Sequence, residues 1–440
     1  MSAHAYAARL QAADLAPPYG YVRKVAPGVV EATGPAQALG ELCEIVGDGG
    51  ARVLAEITAV DERGIVLIPL EPHATIHLDA KVLARATRDR VPVGDAFAGR
   101  AVDALGRAMD GGGAVSGDAH VPLVGEVPRP LDRIDPREIL PTGIRALDGI
   151  LTLARGQRVG IFAASGVGKT TLMEQLAAQV ECDRCVLCLV GERGREVESI
   201  WRKLAGREDA NRFTVVAATS DESAALRARS VNYALCLADH WRAKGEHVLL
   251  VLDSVTRMAM ALREIGLAAG APPTVRAYTP NVFSALPRLV ERCGALASGG
   301  SITAVMTVLS ETDDVDDPIV ELMKSLLDGH IVLSRSLAEQ GHFPAIDIPR
   351  SVSRGAEKLV DADQAKAMRE AVALLGAYED ARVMIESGVY KTGTNPAVDR
   401  AVSVRSDLLA FLRQGAGEKE AYAEAVRKLR AVTERGRLHA

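Results

Sequence analysis

The sequence predicts an α/β protein in three successive parts: a small β-barrel or sandwich, a largely parallel sheet wrapped by helices, and a helical C-terminal region. Three observations carry this expectation. Short β-rich runs follow one another without helices up to about residue 90, then alternate with helical stretches from about residue 158. Strands alternating with helices mean βαβ units and a parallel sheet. Beyond Asp361 the pattern is helical alone, with Met368, Val372, Leu375 and Tyr378 at helix spacing, read as a face packed on the core.

In the first part, runs at residues 21–25, 29–32, 41–46, 53–60 and 65–70 are punctuated by Pro27-Gly28, Gly34-Pro35, Gly47-Asp48-Gly49-Gly50 and Glu62-Arg63-Gly64. A bridge follows, broken by Asp110-Gly111-Gly112-Gly113 and Val127-Pro128-Arg129-Pro130. The central strands are read at residues 158–163, 186–190, 214–217, 248–252, 302–308 and 330–333, with helices from Lys169 and near residues 222–243. The expected domains are therefore an N-terminal segment with the β-unit at 1–90, the α/β unit at 91–360 and the helical unit at 361–440.

Composition narrows the function classes. The chain has 440 residues, enough for several cores, and is 48% hydrophobic and 25% charged, an ordinary soluble balance. Aromatics make up only 4%, so the cores must be aliphatic. A net charge of −5 supplies no basic field and argues against a dedicated nucleic-acid binder. No apolar run reaches the ~18 residues of a membrane helix. The first residues lack the basic-then-apolar order of a signal peptide. Six irregularly spaced cysteines fit a reduced, cytosolic setting. Cys182, Cys185 and Cys188 have iron–sulfur-like spacing, but no fourth cysteine follows nearby and a buried strand runs through them, so they are read as small apolar residues. His73 and His77 are not read as metal ligands.

The strongest chemical signal is Ala163-Ala164-Ser165-Gly166-Val167-Gly168-Lys169-Thr170, between a strand and a helix. It is a P-loop with alanine at the first glycine position. Glycines let successive backbone N–H groups converge on phosphate oxygens, and the helix N-terminus adds partial positive charge. Residues Ala164 to Gly168, with Lys169, Thr170 and Thr171, would bind the phosphates; Lys169 reaches the outer ones and the Thr170 hydroxyl can ligate Mg²⁺. A second element, the strand ending in Asp253, supplies the carboxylate that holds the magnesium. A third, Gly191-Glu192-Arg193-Gly194-Arg195-Glu196, places Glu192 at the C-terminal end of a strand, where it can orient the attacking water. These residues point to binding and hydrolysis of a nucleoside triphosphate with Mg²⁺.

From about Tyr21 onward the chain resembles the type III secretion ATPases, including the flagellar export ATPase, relatives of the catalytic subunits of rotary ATP synthases. The resemblance extends to Glu31-Ala32-Thr33-Gly34-Pro35, to Leu140-Pro141-Thr142-Gly143-Ile144-Arg145-Ala146-Leu147-Asp148, to Val282-Phe283-Ser284-Ala285-Leu286-Pro287-Arg288-Leu289, and to Gly341-His342-Phe343-Pro344. It implies a RecA-like P-loop ATPase domain behind a β-barrel. It further implies Glu192 as the catalytic glutamate, Arg193 as a γ-phosphate-side contact and Phe343 as an aromatic stacked on adenine. Ser351-Val352-Ser353-Arg354 resembles the segment carrying an arginine finger, here Arg354, donated to the next subunit. Read without the resemblance, Phe343 is equally a core aromatic and Arg354 a surface arginine. Asp313-Asp314-Val315-Asp316-Asp317-Pro318 and the proline at 349 depart from the family pattern.

The resemblance implies ATP and Mg²⁺, a cytoplasmic homohexamer peripheral to the inner membrane, and four kinds of partner: a stator or regulator, a central stalk protein, export-gate membrane proteins and chaperone–substrate complexes. Nucleic acid is not expected, since residues 21–90 lack an aromatic, basic platform. The competing systems are flagellar export, favoured by Gly388-Val389-Tyr390-Lys391-Thr392-Gly393-Thr394-Asn395-Pro396, the virulence injectisome, favoured by Pro141-Thr142-Gly143, and more distantly a rotary ATP synthase catalytic subunit.

Overall fold

The computed structural model describes residues 18–71, 74–85, 90–310 and 317–438. Most of the N-terminal lead, His73 and the acidic residues Asp313, Asp314 and Asp316 lie outside the described residues.

Six antiparallel strands close a barrel: β1 (Tyr19–Ala26), β2 (Val29–Ala32), β3 (Leu42–Val46), β4 (Arg52–Asp61), β5 (Gly64–Pro69) and β6 (Lys81–Ala84), in the order β1-β2-β5-β4-β3-β6. Alternation decides which side chains enter it. Along β4, Val53, Ala55 and Ile57 turn inward to meet Val22, Val30, Ile45, Leu67 and Val82. Closure leaves no free sheet edge, which a five-stranded form would have kept. The sixth strand escapes sequence reading because it is four residues long and shows only Val82 and Ala84 as apolar inward positions.

Eight strands of the central sheet follow: β7 (Arg100–Asp103), β8 (Arg158–Ala163), β9 (Arg184–Glu192), β10 (Phe213–Thr219), β11 (His247–Asp253), β12 (Ser301–Leu309), β13 (Gly329–Val332) and β14 (Val352–Ser353). Their order is β14-β13-β8-β12-β11-β9-β10-β7, parallel throughout except β14. The bridge read as loop thus contributes β7, which pairs with β10 more than 100 residues on, a long-range choice that local periodicity does not encode.

The sheet is buried on both faces, which is why its strands read as continuous apolar runs. One face carries α1 (Lys169–Gln179), α2 (Gly194–Ala205) and the C-terminal helices; the other carries α3 (Ala224–Ala243) and α4 (Val255–Ala268). Cys185 faces the first layer and Cys188 the second, so the cysteine triplet cannot converge on one cluster.

The C-terminal part is three helices, α5 (Ala362–Glu386), α6 (Pro396–Leu412) and α7 (Tyr422–Leu438). Met368 and Leu375 are buried and Tyr378 packs against the core, but Val372 is 37% exposed. The buried face is centred instead on the alanines Ala367 and Ala371, which let neighbouring helices approach, and Val372 falls on its flank.

The 140–148 motif brackets this helical part to the sheet. Arg145 donates to the Phe411 carbonyl at 2.7 Å, and its backbone N–H donates to Gln414 at 2.8 Å. Asp148, almost fully buried, accepts from the Thr142 N–H and hydroxyl, both at 2.8 Å, and from the Gly143 N–H at 2.9 Å. Asp148→Ala leaves those donors without their acceptor, at a cost of about 1–3 kcal/mol each. The expected result is a clearly lower thermal unfolding midpoint. An unchanged midpoint would remove the bracket role.

Candidate active site

The P-loop leaves β8 at Ala163 and enters α1 at Lys169, at the end of the parallel sheet where ligand crevices form. Gly166 and Gly168 adopt φ of +82° and +92°, the left-handed region that turns the loop around a phosphate-sized space. Ser165, Gly166, Thr170 and Thr171 are exposed there, whereas Ala164 and Val167 are buried and anchor the loop from beneath.

Two adjacent strand ends bring carboxylates to the P-loop lysine. Lys169 forms an ion pair with Asp253, the last residue of β11, and its ammonium lies 4.0 Å from Glu192, the last residue of β9. Register brings the two acids together, because Leu189 pairs with Asp253 and Glu192 follows three residues later. Thr307 on β12 donates its hydroxyl to Asp253 at 2.6 Å. Asp253 Oδ1 takes both the Lys169 and the Thr307 contacts. A hard divalent cation suits this donor set of a carboxylate and the nearby Thr170 hydroxyl.

Glu192 is buried, and Arg257 on the first turn of α4 reaches its Oε2 at 3.2 Å while also donating to the Gly191 carbonyl. Burial pushes the Glu192 carboxyl up to about 7, aided by hydrogen bonding with Glu196 and the Asp253 charge, against the pull of Arg257 and Lys169. A carboxyl poised near neutrality is suited to proton transfer.

The remaining sequence candidates divide. The Phe343 ring, 44% exposed, stands within 3.5 Å of where a Cβ on Gly168 would sit. It is therefore beside the P-loop and not a core aromatic. Arg193 caps α2 with a side chain 67% exposed, 3.9 Å from Glu196, and is not drawn into the Lys169–Asp253–Glu192 group. Arg354 lies at the other end of the sheet: Ser353 pairs with Gly329, which pairs with Val159 at the start of β8. Its guanidinium donates to the Lys324 carbonyl at 3.2 Å. Within one chain it does not meet the P-loop. Sequence reading missed Arg257 and Thr307. The former could have been found four residues after Asp253, one helical turn into the next helix; the latter had no local signal.

Residues 143–353 match the nucleotide-binding domain model of the ATP synthase alpha/beta family, and residues 360–431 match the C-terminal domain model of the EscN-type secretion ATPase. The chain is 42% identical over 417 residues to the flagellum-specific ATP synthase of Bacillus subtilis (strain 168), covering 94% of this chain and 95% of that protein. It belongs to the family of flagellum-specific and type III secretion ATPases. This ATPase is also 40% identical to the type 3 secretion system ATPase of Xanthomonas euvesicatoria over 417 residues, 94% of each chain. Its fold matches the assembled ATPase EscN of enteropathogenic E. coli with a TM-score of 0.89 at 37% identity, covering 94% of this chain and all of that one. The same protein in complex with its central stalk EscO matches with a TM-score of 0.85 at 36% identity, over 94% of this chain and 100% of that one. A small β-barrel, a parallel nucleotide-binding sheet and a helical C-terminus are the architecture expected from the sequence, the barrel closing with one strand more than was read, and the chain is an ATP-hydrolysing enzyme. Among the described residues, no helix is long and apolar enough to cross a membrane.

Proposed function

We propose that this ATPase hydrolyses Mg-ATP at sites shared between neighbouring subunits of a homohexamer and thereby energises flagellar protein export. The observation that carries the reading is the convergence of Asp253 and Glu192, at adjacent strand ends, on Lys169 of the P-loop. In this reading the loop N–H groups and Lys169 hold the phosphates, exchanging the Lys169–Asp253 pair for phosphate contact. Thr170 and Asp253 hold the magnesium that arrives with the nucleotide. Glu192 takes the proton of the attacking water, with Arg257 fixing its orientation. Phe343 packs on the adenine, and Arg193, exposed at the start of α2, swings from Glu196 toward the γ-phosphate.

Arg354 serves the neighbouring subunit's site, which is consistent with its distance from its own P-loop. The barrel supplies ring contacts and a stator surface, and the helical region engages the stalk and chaperone–substrate complexes. The solved relative EscN assembles with a central stalk, EscO, which supports a stalk protein among the partners. Partners bring the ring to the export gate in the cytoplasmic membrane. The 388–396 segment favours the flagellar system; the similar identities to flagellar and injectisome relatives keep virulence-type export as the second reading. Gene deletion with loss of motility supports the first; retained motility with loss of effector secretion supports the second.

The Glu192 environment predicts a pH profile. The base must be ionised to accept a proton, and its carboxyl is pushed up to about 7, so turnover should fall as pH drops through that value and level off above it. Arg257→Ala removes a charge that favours the carboxylate and should move the midpoint upward. A profile flat from about pH 6 to 8 in the wild type would contradict the assignment.

A further inference from the structure

In the central sheet, β12 lies between β8, which feeds the P-loop, and β11, which ends in Asp253. Thr307 is on this intervening strand. It pairs with Ile161 of β8 on one side, and on the other its neighbour Met306 pairs with Leu252, one residue before Asp253. Alternation decides where its side chain goes. Val251 and Val305 face the layer that holds α1, and Leu252 and Met306 face the opposite layer, so Asp253 and Thr307 turn to the α1 side together. There the Thr307 hydroxyl, fully buried, donates to Asp253 Oδ1 at 2.6 Å.

The strand is fastened on both flanks just beyond this point. The Ser310 N–H donates to the carbonyl of Ala163, where the P-loop begins, at 3.0 Å. The Leu309 N–H donates to the hydroxyl of Thr256, in the first turn of α4, at 2.9 Å. A β-branched side chain on a strand so held has little freedom to move its hydroxyl. Among the described residues, the hydrogen bonds given to the Asp253 carboxylate both go to Oδ1, one from Thr307 and one from Lys169. The two donors differ in kind. Lys169 is on a long flexible stem and is needed at the phosphates, whereas Thr307 is fixed to the sheet.

We propose that Thr307 is a positioning residue for the carboxylate that holds magnesium. Its hydroxyl keeps Asp253 Oδ1 when Lys169 leaves for the phosphates, and so leaves Oδ2 for the cation. The inference rests on the assignment of Asp253 as the magnesium carboxylate. A carboxylate pinned through one oxygen in advance binds a cation without first giving up its freedom to turn. Without the hydroxyl, the buried Oδ1 has no donor once Lys169 has gone, and the carboxylate is no longer fixed. Glu192 is held separately, by Arg257 at 3.2 Å, so the effect falls on the metal and not on the base.

The test measures Mn²⁺ binding to the full-length protein with ADP already bound, by electron paramagnetic resonance of the free ion. With nucleotide in place Lys169 is engaged, so the titration reads the metal site alone. Thr307→Val should weaken Mn²⁺ binding about 10-fold or more, the scale of a lost hydrogen bond to a charged group. Thr307→Ser, which restores the hydroxyl, should return it to within a factor of about three of wild type. Thr307→Ser against Thr307→Ala gives the same comparison if the valine variant does not fold, because those two differ by the hydroxyl alone. Asp253→Asn separates the two levels of the reading. If it weakens Mn²⁺ binding while Thr307→Val, or Thr307→Ala relative to Thr307→Ser, does not, the positioning role is overturned and the ligand assignment stands. If Asp253→Asn binds Mn²⁺ as wild type does, the ligand assignment fails and the role of Thr307 fails with it.

Discussion

Arg354→Ala lowers ATP turnover by roughly 10³–10⁵-fold, the range that separates P-loop enzymes with and without an arginine finger. The transferring phosphoryl group spreads negative charge over its oxygens, and a guanidinium aimed at them acts where water is excluded. Nothing in the single chain would predict so large an effect. Arg354 is exposed, its guanidinium donates to the Lys324 carbonyl, and it occupies the end of the sheet opposite the P-loop. If it worked only within its own chain, alanine would cost a fraction of a kcal/mol in stability, as surface substitutions do. A kinetic loss with unchanged thermal stability and unchanged ring formation is therefore the diagnostic pattern. It is measured by steady-state hydrolysis beside calorimetry and sizing. Turnover within a factor of about two of wild type would remove the role in trans.

Glu192→Gln is the second large effect. The amide keeps the shape of the side chain and can still meet Arg257, but it cannot accept a proton from water. Hydrolysis should fall by about 10²–10⁴-fold, the range for loss of a positioned base, while nucleotide binding persists. Lys169→Ala should differ in kind: it removes the cation that faces the phosphates, so binding and hydrolysis are lost together. Fluorescent-nucleotide titration separates the two variants. Wild-type turnover in Glu192→Gln would transfer the base to another group.

The chemistry was more legible in the sequence than the architecture that presents it. The P-loop could be placed because strand, glycines and helix are contiguous, and Asp253 because it closes an uninterrupted apolar strand. Glu192 drew its meaning from the strand end on which it sits. What failed to show was whatever depends on partners far away in the chain. The short strand β7 becomes part of the sheet only by pairing with β10, and β6 becomes a strand only by closing the barrel between β1 and β3. Arg257 and Thr307 carry no motif of their own; each matters because folding sets it against an acid the motifs had already named. Val372 shows the reverse error, in which helical spacing was right but the face was centred about one residue off, since the small Ala367 and Ala371 share the buried line with Met368, Leu374 and Leu375.

The most direct test of the account is complementation between two inactive variants. Glu192→Gln keeps Arg354 but lacks the base; Arg354→Ala keeps the base but lacks the finger. If each site joins the P-loop of one subunit to the arginine of the next, random equimolar rings restore both groups at about one quarter of their head-to-tail interfaces. ATP hydrolysis is measured on variants mixed as dissociated subunits before assembly. The account predicts turnover far above that of either parent. A mixture no more active than the mean of the two would contradict it.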